Sequence, residues 1–250
     1  MNSGFFMLPV AVPQAVAATL TQLSANQYSL LSQVEADCLD HWIFNNGAAS
    51  LTGLKAASTL TAQGTAPTYG SNFLTLAAGQ NGLASAFADT PEHSYCAVVQ
   101  MPTLGSGIGV MAAGTVSSAD SNGDGIYLQN SSGVSLTLNG RAMPNAVQAA
   151  ATPVAGNWAF VAGSIKSGVG TTAYVGGVGG TDVASANAKA VASRNIVLGT
   201  TLGYTSGSFQ SIALPVAEFI IFGTRKLAAD WPAIYARSKT RMSNAGLILS

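Results

Sequence analysis

Apolar residues come in short runs along this chain, and the densest is Leu214-Pro215-Val216-Ala217-Glu218-Phe219-Ile220-Ile221-Phe222-Gly223. Its β-branched and aromatic residues, bounded by Pro215 and Gly223, predict a strand buried in a sandwich core, against which the rest of the chain closes. Upstream, the pattern predicts strands from about His41 to Phe44, at Phe73 to Leu76, Tyr95 to Met101, Ile108 to Ala113, Ile126 to Gln129, Val134 to Asn139, Trp158 to Ile165, Thr171 to Val175 and Asn195 to Leu198. Leu51 to Leu54 and Thr59 to Thr61 also alternate with a period of two. Val134, Leu136 and Leu138 alternate with Ser135, Thr137 and Asn139, the mark of a sheet with one face in the core and one toward water. Asn130-Ser131-Ser132-Gly133 reads as the hairpin turn before it.

Two segments break the pattern. Before residue 38, Val16, Leu20, Leu23, Leu30 and Val34 fall at heptad-like spacings, interrupted by Gln27, and read as an assembly arm or as a strap on the chain's own domain. After the closing strand, Asp230-Trp231-Pro232 can cap a helix from about Ala233 to Asn244 whose Ile234 and Met242 face the sheet. The resulting division is an arm at 1–37, an all-β antiparallel sandwich of jelly-roll type at 38–224, and a helix and tail at 225–250.

Composition narrows the classes. The chain has 250 residues, 28 of them Gly, and only 8% are charged, which argues against both disorder by charge and a helical bundle. Formal net charge is zero, so the footprint of a nucleic-acid binder is missing, and no apolar run reaches the roughly 20 residues that membrane insertion requires. Five of ten basic residues, Arg225, Lys226, Arg237, Lys239 and Arg241, crowd the last stretch and read as a solvated helix face. Cys38 and Cys96 lie in or beside apolar segments, too far apart in sequence for a metal motif, and read as reduced core thiols. Met1 to Leu23 lacks a basic start and is interrupted by Pro9 and Pro13, unlike a secretory leader.

Candidate chemistry is sparse. The only glutamates are Glu35, Glu92 and Glu218, and no pair sits at the period-two spacing of a retaining glycosidase strand within the sandwich. Asp120-Ser121-Asn122-Gly123-Asp124-Gly125 matches half of a calcium loop, with Asp120, Asn122 and Asp124 as its ligands, but Ser131 stands where a bidentate Glu belongs. A loop with Asx turns explains the same residues without metal. His41 and His93, the only histidines, lie in no recognised zinc or triad motif. Gly176 to Gly180 lacks the Lys and helix of a phosphate loop and reads as a turn. Sugar sites combine an aromatic platform with amides and hydroxyls, and such groups occur at Tyr69 with Asn72, Tyr127 with Gln129 and Asn130, and Tyr204 with Thr205 and Ser206.

Several segments together resemble the concanavalin A-like, laminin-G-type jelly roll. These are the stretch from Trp42 to Leu76, Gly156-Asn157-Trp158 with Ala159 to Gly163, Tyr174-Val175-Gly176-Gly177, Leu198-Gly199, and Pro215 to Phe222. The ending from Asp230 to Met242 is similar to that of laminin-G-like modules of tailed-phage virion proteins. The resemblance covers about residues 38 to 250 and implies a non-enzymatic virion component of the tail tip or fibre, made in the host bacterial cytoplasm. It would bind other virion proteins or a host-surface carbohydrate, as a homo-oligomer with threefold symmetry preferred. A structural connector or decoration without its own ligand is the alternative, and a glycan-active enzyme stands third. No cofactor is implied beyond the half-matched calcium loop.

Overall fold

The computed structural model describes residues 34–118, 122–130, 133–149, 155–205 and 212–250, so the predicted arm lies almost wholly outside the described residues. Two antiparallel sheets form a sandwich. The eight-stranded sheet has the order β13 (Gly179–Ala184), β12 (Gly170–Val175), β11 (Trp158–Lys166), β6 (Glu92–Gln100), β15 (Leu214–Phe222), β4 (Leu74–Leu76) and β3 (Thr68–Tyr69), and β1 (Cys38–Ile43) also pairs with β15. The seven-stranded sheet runs β10 (Ala146–Ala149), β9 (Val134–Gly140), β8 (Asp124–Asn130), β7 (Gly109–Gly114), β14 (Asn195–Leu198), β5 (Leu83–Ala88) and β2 (Thr61–Ala62). One helix, α1 (Trp231–Asn244), covers the outer face of the larger sheet.

The closing strand is central because both its faces are buried. Val216, Phe219 and Ile221 enter the core between the sheets with Trp42, Val99 and Leu128, whereas Ala217, Ile220 and Phe222 pack outward against Trp231, Ile234 and Met242 of α1. Against β6 the register slips between Val216 and Glu218. That bulge places two successive residues, Ala217 and Glu218, on the helix side, and so sends a carboxylate under α1.

Strands were predicted where apolar residues alternate, and four that lack a strong pattern are additional: β3, β5, β10 and β13. β13 starts inside the Gly-rich stretch, whose turn is made by Gly177 at a φ of 75° before Gly179 and Gly180 join the ladder. The alternation at Leu51 to Leu54 yields a 3-10 turn over Gly47–Leu51 and a single bridge, Thr52 to Thr59, because Asp40 gathers this loop with hydrogen bonds from Lys55, Ala56 and Ser58. α1 begins two residues before its predicted start. Asp230 precedes it, but its carboxylate accepts the Leu227 N–H (2.7 Å) and makes no cap bond to the helix. Cys38 and Cys96 are buried and free, and burial pushes the Cys38 thiol up to about 12.

Candidate functional site

Seven of the chain's twenty charged residues meet, with both histidines, in two buried clusters. The first lies between the sheets. His93 and Tyr95 are on the inward face of β6, Asp124 opens β8 on the opposite sheet, and Asp89 sits in the turn before β6. Lys189 reaches in from residues 185–194, which cross this end of the sandwich between β13 and β14. Its ammonium contacts Asp89 Oδ1, Asp124 Oδ2 (2.6 Å) and the Thr90 carbonyl (2.9 Å). His93 Nε2 is 3.2 Å from Asp124, and the Tyr95 hydroxyl donates to Asp124 Oδ1 (2.6 Å). Burial alone would raise the Asp124 pKa, but the charges and hydrogen bonds of His93 and Lys189 outweigh it and hold the carboxyl below its usual range. Burial, followed by the Asp124 charge, raises Tyr95 well above the ordinary phenol.

The second cluster lies under α1. Glu218 Oε1 accepts from Arg241 Nε (2.5 Å) and lies 2.9 Å from His41 Nε2. Arg241 Nη1 reaches Glu35 Oε1 (3.1 Å), and Arg237 grips Glu35 through Nε (2.9 Å) and Nη2 (2.6 Å). Arg241 is fully buried, so the expectation of a solvated basic helix face fails for it: its position on α1 faces the bulge carboxylate instead. Burial pushes Glu218 up, yet Arg241 and His41 bring it down to about 2. The same pairings tie the segment before β1 to the helix, with Lys55 Nζ also donating to the Ala36 carbonyl (2.6 Å) and Lys226 pairing with Asp37.

Beside this second cluster is an open recess of about 370 Å³, lined by Asp37, Arg225, Lys226, Asp230, Ile234 and Arg237. It lies where the β15–α1 connection, the first half of α1 and the residues before β1 meet. Lys226 Nζ sits 4.9 Å over the Phe222 ring, and the Arg237 side chain is 49% exposed despite its grip on Glu35. Arg225 is held from behind by the Thr171 carbonyl (3.1 Å) and Thr172 Oγ1 (3.0 Å). The basic cluster at the end of the sequence foreshadows this recess, but Asp37 and the shape of the connection do not emerge from any motif.

The residues predicted for sugar contact are mostly committed elsewhere. Tyr127 is on β8, within the predicted strand, and with Tyr204 it forms a buried pair (ring centroids 6.0 Å apart) against Met111 and Val116 on the outer face of the smaller sheet. Burial, then Tyr204, raises the Tyr127 hydroxyl above its usual range. Gln129 donates to Thr137 Oγ1 (2.8 Å), Asn130 to the Leu104 carbonyl (2.9 Å) and Asn72 to the Ala245 carbonyl (2.7 Å). Tyr69, on edge strand β3, is exposed. Of the calcium-loop candidates, Asp120 lies outside the described residues and Asn122 precedes β8. Asp124 turns its carboxylate into the sandwich, so it is no loop ligand and the Asx-turn reading fails for it too. Among the described residues, Asp89, His93 and Asp124 are instead the group able to share a metal, with one ligand atom from each within 4.8 Å of the others.

No protein-family model matches the chain, and no curated protein matches it in sequence. Solved structures do match in fold. The binding domain of botulinum neurotoxin serotype D superposes with a TM-score of 0.57 at 10% identity, over 83% of this chain and 52% of that one. The serotype D ligand binding domain in complex with N-acetylneuraminic acid gives 0.55 at 12% identity, over 82% and 52%. A Trypanosoma rangeli sialidase mutant displaying trans-sialidase activity gives 0.58 at 10% identity, over 82% and 34%. The likeness establishes the jelly-roll sandwich fold. The chain spans about half the length of the toxin domains and a third of the sialidase, so their ligand and activity need not belong to the shared part.

Proposed function

We propose that this chain is a lectin-like binding module without catalytic activity, carried at the tail tip or fibre of a tailed-phage particle, and that the recess beside α1 receives a host-surface glycan. The observation that carries this reading is where the charges go. Each glutamate is engaged within the fold: Glu35 by Arg237 and Arg241, Glu218 by His41 and Arg241, and Glu92 by Lys166 (2.9 Å) and the Arg225 N–H. The recess is open and presents the outer edge of Arg237 beside Lys226, which is paired with Asp37. A volume in the range of small-ligand sites, with three cations (Arg225, Lys226, Arg237) against two carboxylates (Asp37, Asp230) in its lining, suits a sugar bearing a carboxylate. The lectin-like fold of the solved structures and the phage-type ending of the chain support the same reading.

A connector role has its own support, because Glu35 ties the segment before β1 to α1 and Asp37 ties it to the β15–α1 connection at the rim of the recess, where a neighbouring subunit would also dock. In either role we place the chain in a homo-oligomer, threefold by preference. Antibody labelling of purified virions tests the location, and a particle without label contradicts it. A panel of host glycans tests the ligand. Binding to one acidic class that falls at least about tenfold in Lys226→Ala/Arg237→Ala supports the glycan reading, and absence of binding to every class favours the connector.

A further inference from the structure

The cluster between the sheets has the composition of a cation site, and its present occupant belongs to the chain. Asp89, His93 and Asp124 surround one point, and Lys189 Nζ lies there, donating to Asp89 Oδ1 and the Thr90 carbonyl and ion-paired with Asp124 Oδ2 at 2.6 Å. Two features do not fit a cage made for an ammonium alone. His93 Nδ1 is buried without a hydrogen-bond partner, aimed at Asp89 Oδ1 across 3.6 Å. That gap is close to the separation of about 3.4 Å between two ligands of a tetrahedral zinc ion. Asp124 Oδ2 is likewise buried without a hydrogen bond although the lysine lies 2.6 Å away, and a divalent ion bound beside a neutral imidazole would use that oxygen and balance both carboxylates.

We propose that Asp89, His93 and Asp124 constitute a divalent-metal site that Lys189 keeps filled, so that metal and the lysine compete for one position. The donor set, one imidazole and two carboxylates, is that of a borderline cation such as Zn²⁺, and water or the Thr90 carbonyl would complete the coordination. Competition reaches beyond the site because Lys189 is part of the segment that closes this end of the sandwich. Its backbone N–H donates to Ser167 Oγ (3.0 Å), the neighbouring Ala190 carbonyl accepts from Gly123 (2.7 Å), and Ala192 N–H donates to Asp89 Oδ2 (2.7 Å). An ion entering between Asp89 and Asp124 must expel the lysine, and residues 185–194 lose their central anchor when it does.

The test uses the full chain, freed of metal, as wild type, Lys189→Ala, and Lys189→Ala/Asp124→Asn, titrated with Zn²⁺ and melted with and without it. Lys189→Ala should take up one equivalent and gain about 5 °C or more in melting temperature. Wild type should show neither effect at the same concentration, and the double variant should lose both. A Lys189→Ala chain that ignores Zn²⁺ overturns the proposal, as does a response equal in wild type or retained in the double variant. If Lys189→Ala does not fold in metal-free buffer, refolding in Zn²⁺ decides: recovery of the folded chain supports the site, and an unfolded chain under both conditions overturns it.

Discussion

The two buried charge clusters, one between the sheets and one under α1, solve the same problem differently. Under α1 two glutamates meet two arginines whose planar forks supply several donors each, and the Arg237–Glu35 pair is bidentate. Between the sheets two aspartates share one lysine, a point charge with three donors, and the deficit is covered by His93 and the Tyr95 hydroxyl. The helix cluster is closed by a regular element laid over a bulge, the inner one by an irregular segment threaded through a single side chain. One is therefore a clasp, and the other a plug. In a chain with 8% charged residues, placing this many inside leaves little charge for the surface, and four of the others, Asp37, Arg225, Lys226 and Asp230, line the recess beside α1.

Removing the shared arginine should separate the two clusters most sharply. Arg241→Ala leaves Glu218 and Glu35 buried with their main partner gone, and should cost about 3–5 kcal/mol in chemical denaturation. Acid should act next. Glu218 falls from 4.5 to about 2 in the folded chain, so its contribution is fully present above about 4.5 and is lost as pH falls through about 2. On the order of 3 kcal/mol should disappear across that window, measured as denaturation midpoints against pH, and Glu218→Gln should flatten the curve. Asp124→Asn should cost less, about 1–3 kcal/mol, because an amide oxygen still accepts from Tyr95 while the charge facing Lys189 is gone. Arg237→Ala should cost at most about 1 kcal/mol, since its half-exposed side chain is screened by solvent and Arg241 still holds Glu35.

Much of the fold was legible because a strand with one wet face prints its period into the chain, as Val134 to Asn139 does, and because a strand buried on both faces becomes an unbroken apolar run, as Leu214 to Phe222 does. β5, β10 and β13 were not, since alanine, serine and glycine carry too little hydrophobic contrast to show a period. The clusters were hidden for another reason: Asp89, His93, Asp124 and Lys189 come from four separate parts of the chain, and only the stacking of the sheets brings them together. Two signals in the sequence did point there. Glu218 is a charge inside the densest apolar run, which demands a buried partner, and Arg241 follows at a place on the helix that faces it. Tyr127 misled because Gln129 and Asn130 beside it suggested a sugar site, whereas Gln129 and Thr137 bond across two strands and leave the tyrosine packed on Tyr204.

The recess offers methyl groups as direct reporters, because Ala229, Ala233 and Ile234 line it while Val147 stands exposed on the smaller sheet. Methyl-labelled chain titrated with a panel of acidic glycans should show shifts confined to those three residues, saturating with a single affinity and lost in Lys226→Ala/Arg237→Ala. Shifts centred on Val147 or on the Met111 methyl beside Tyr127, or saturable binding that leaves the recess methyls unmoved, would contradict the assignment of ligand binding to the recess.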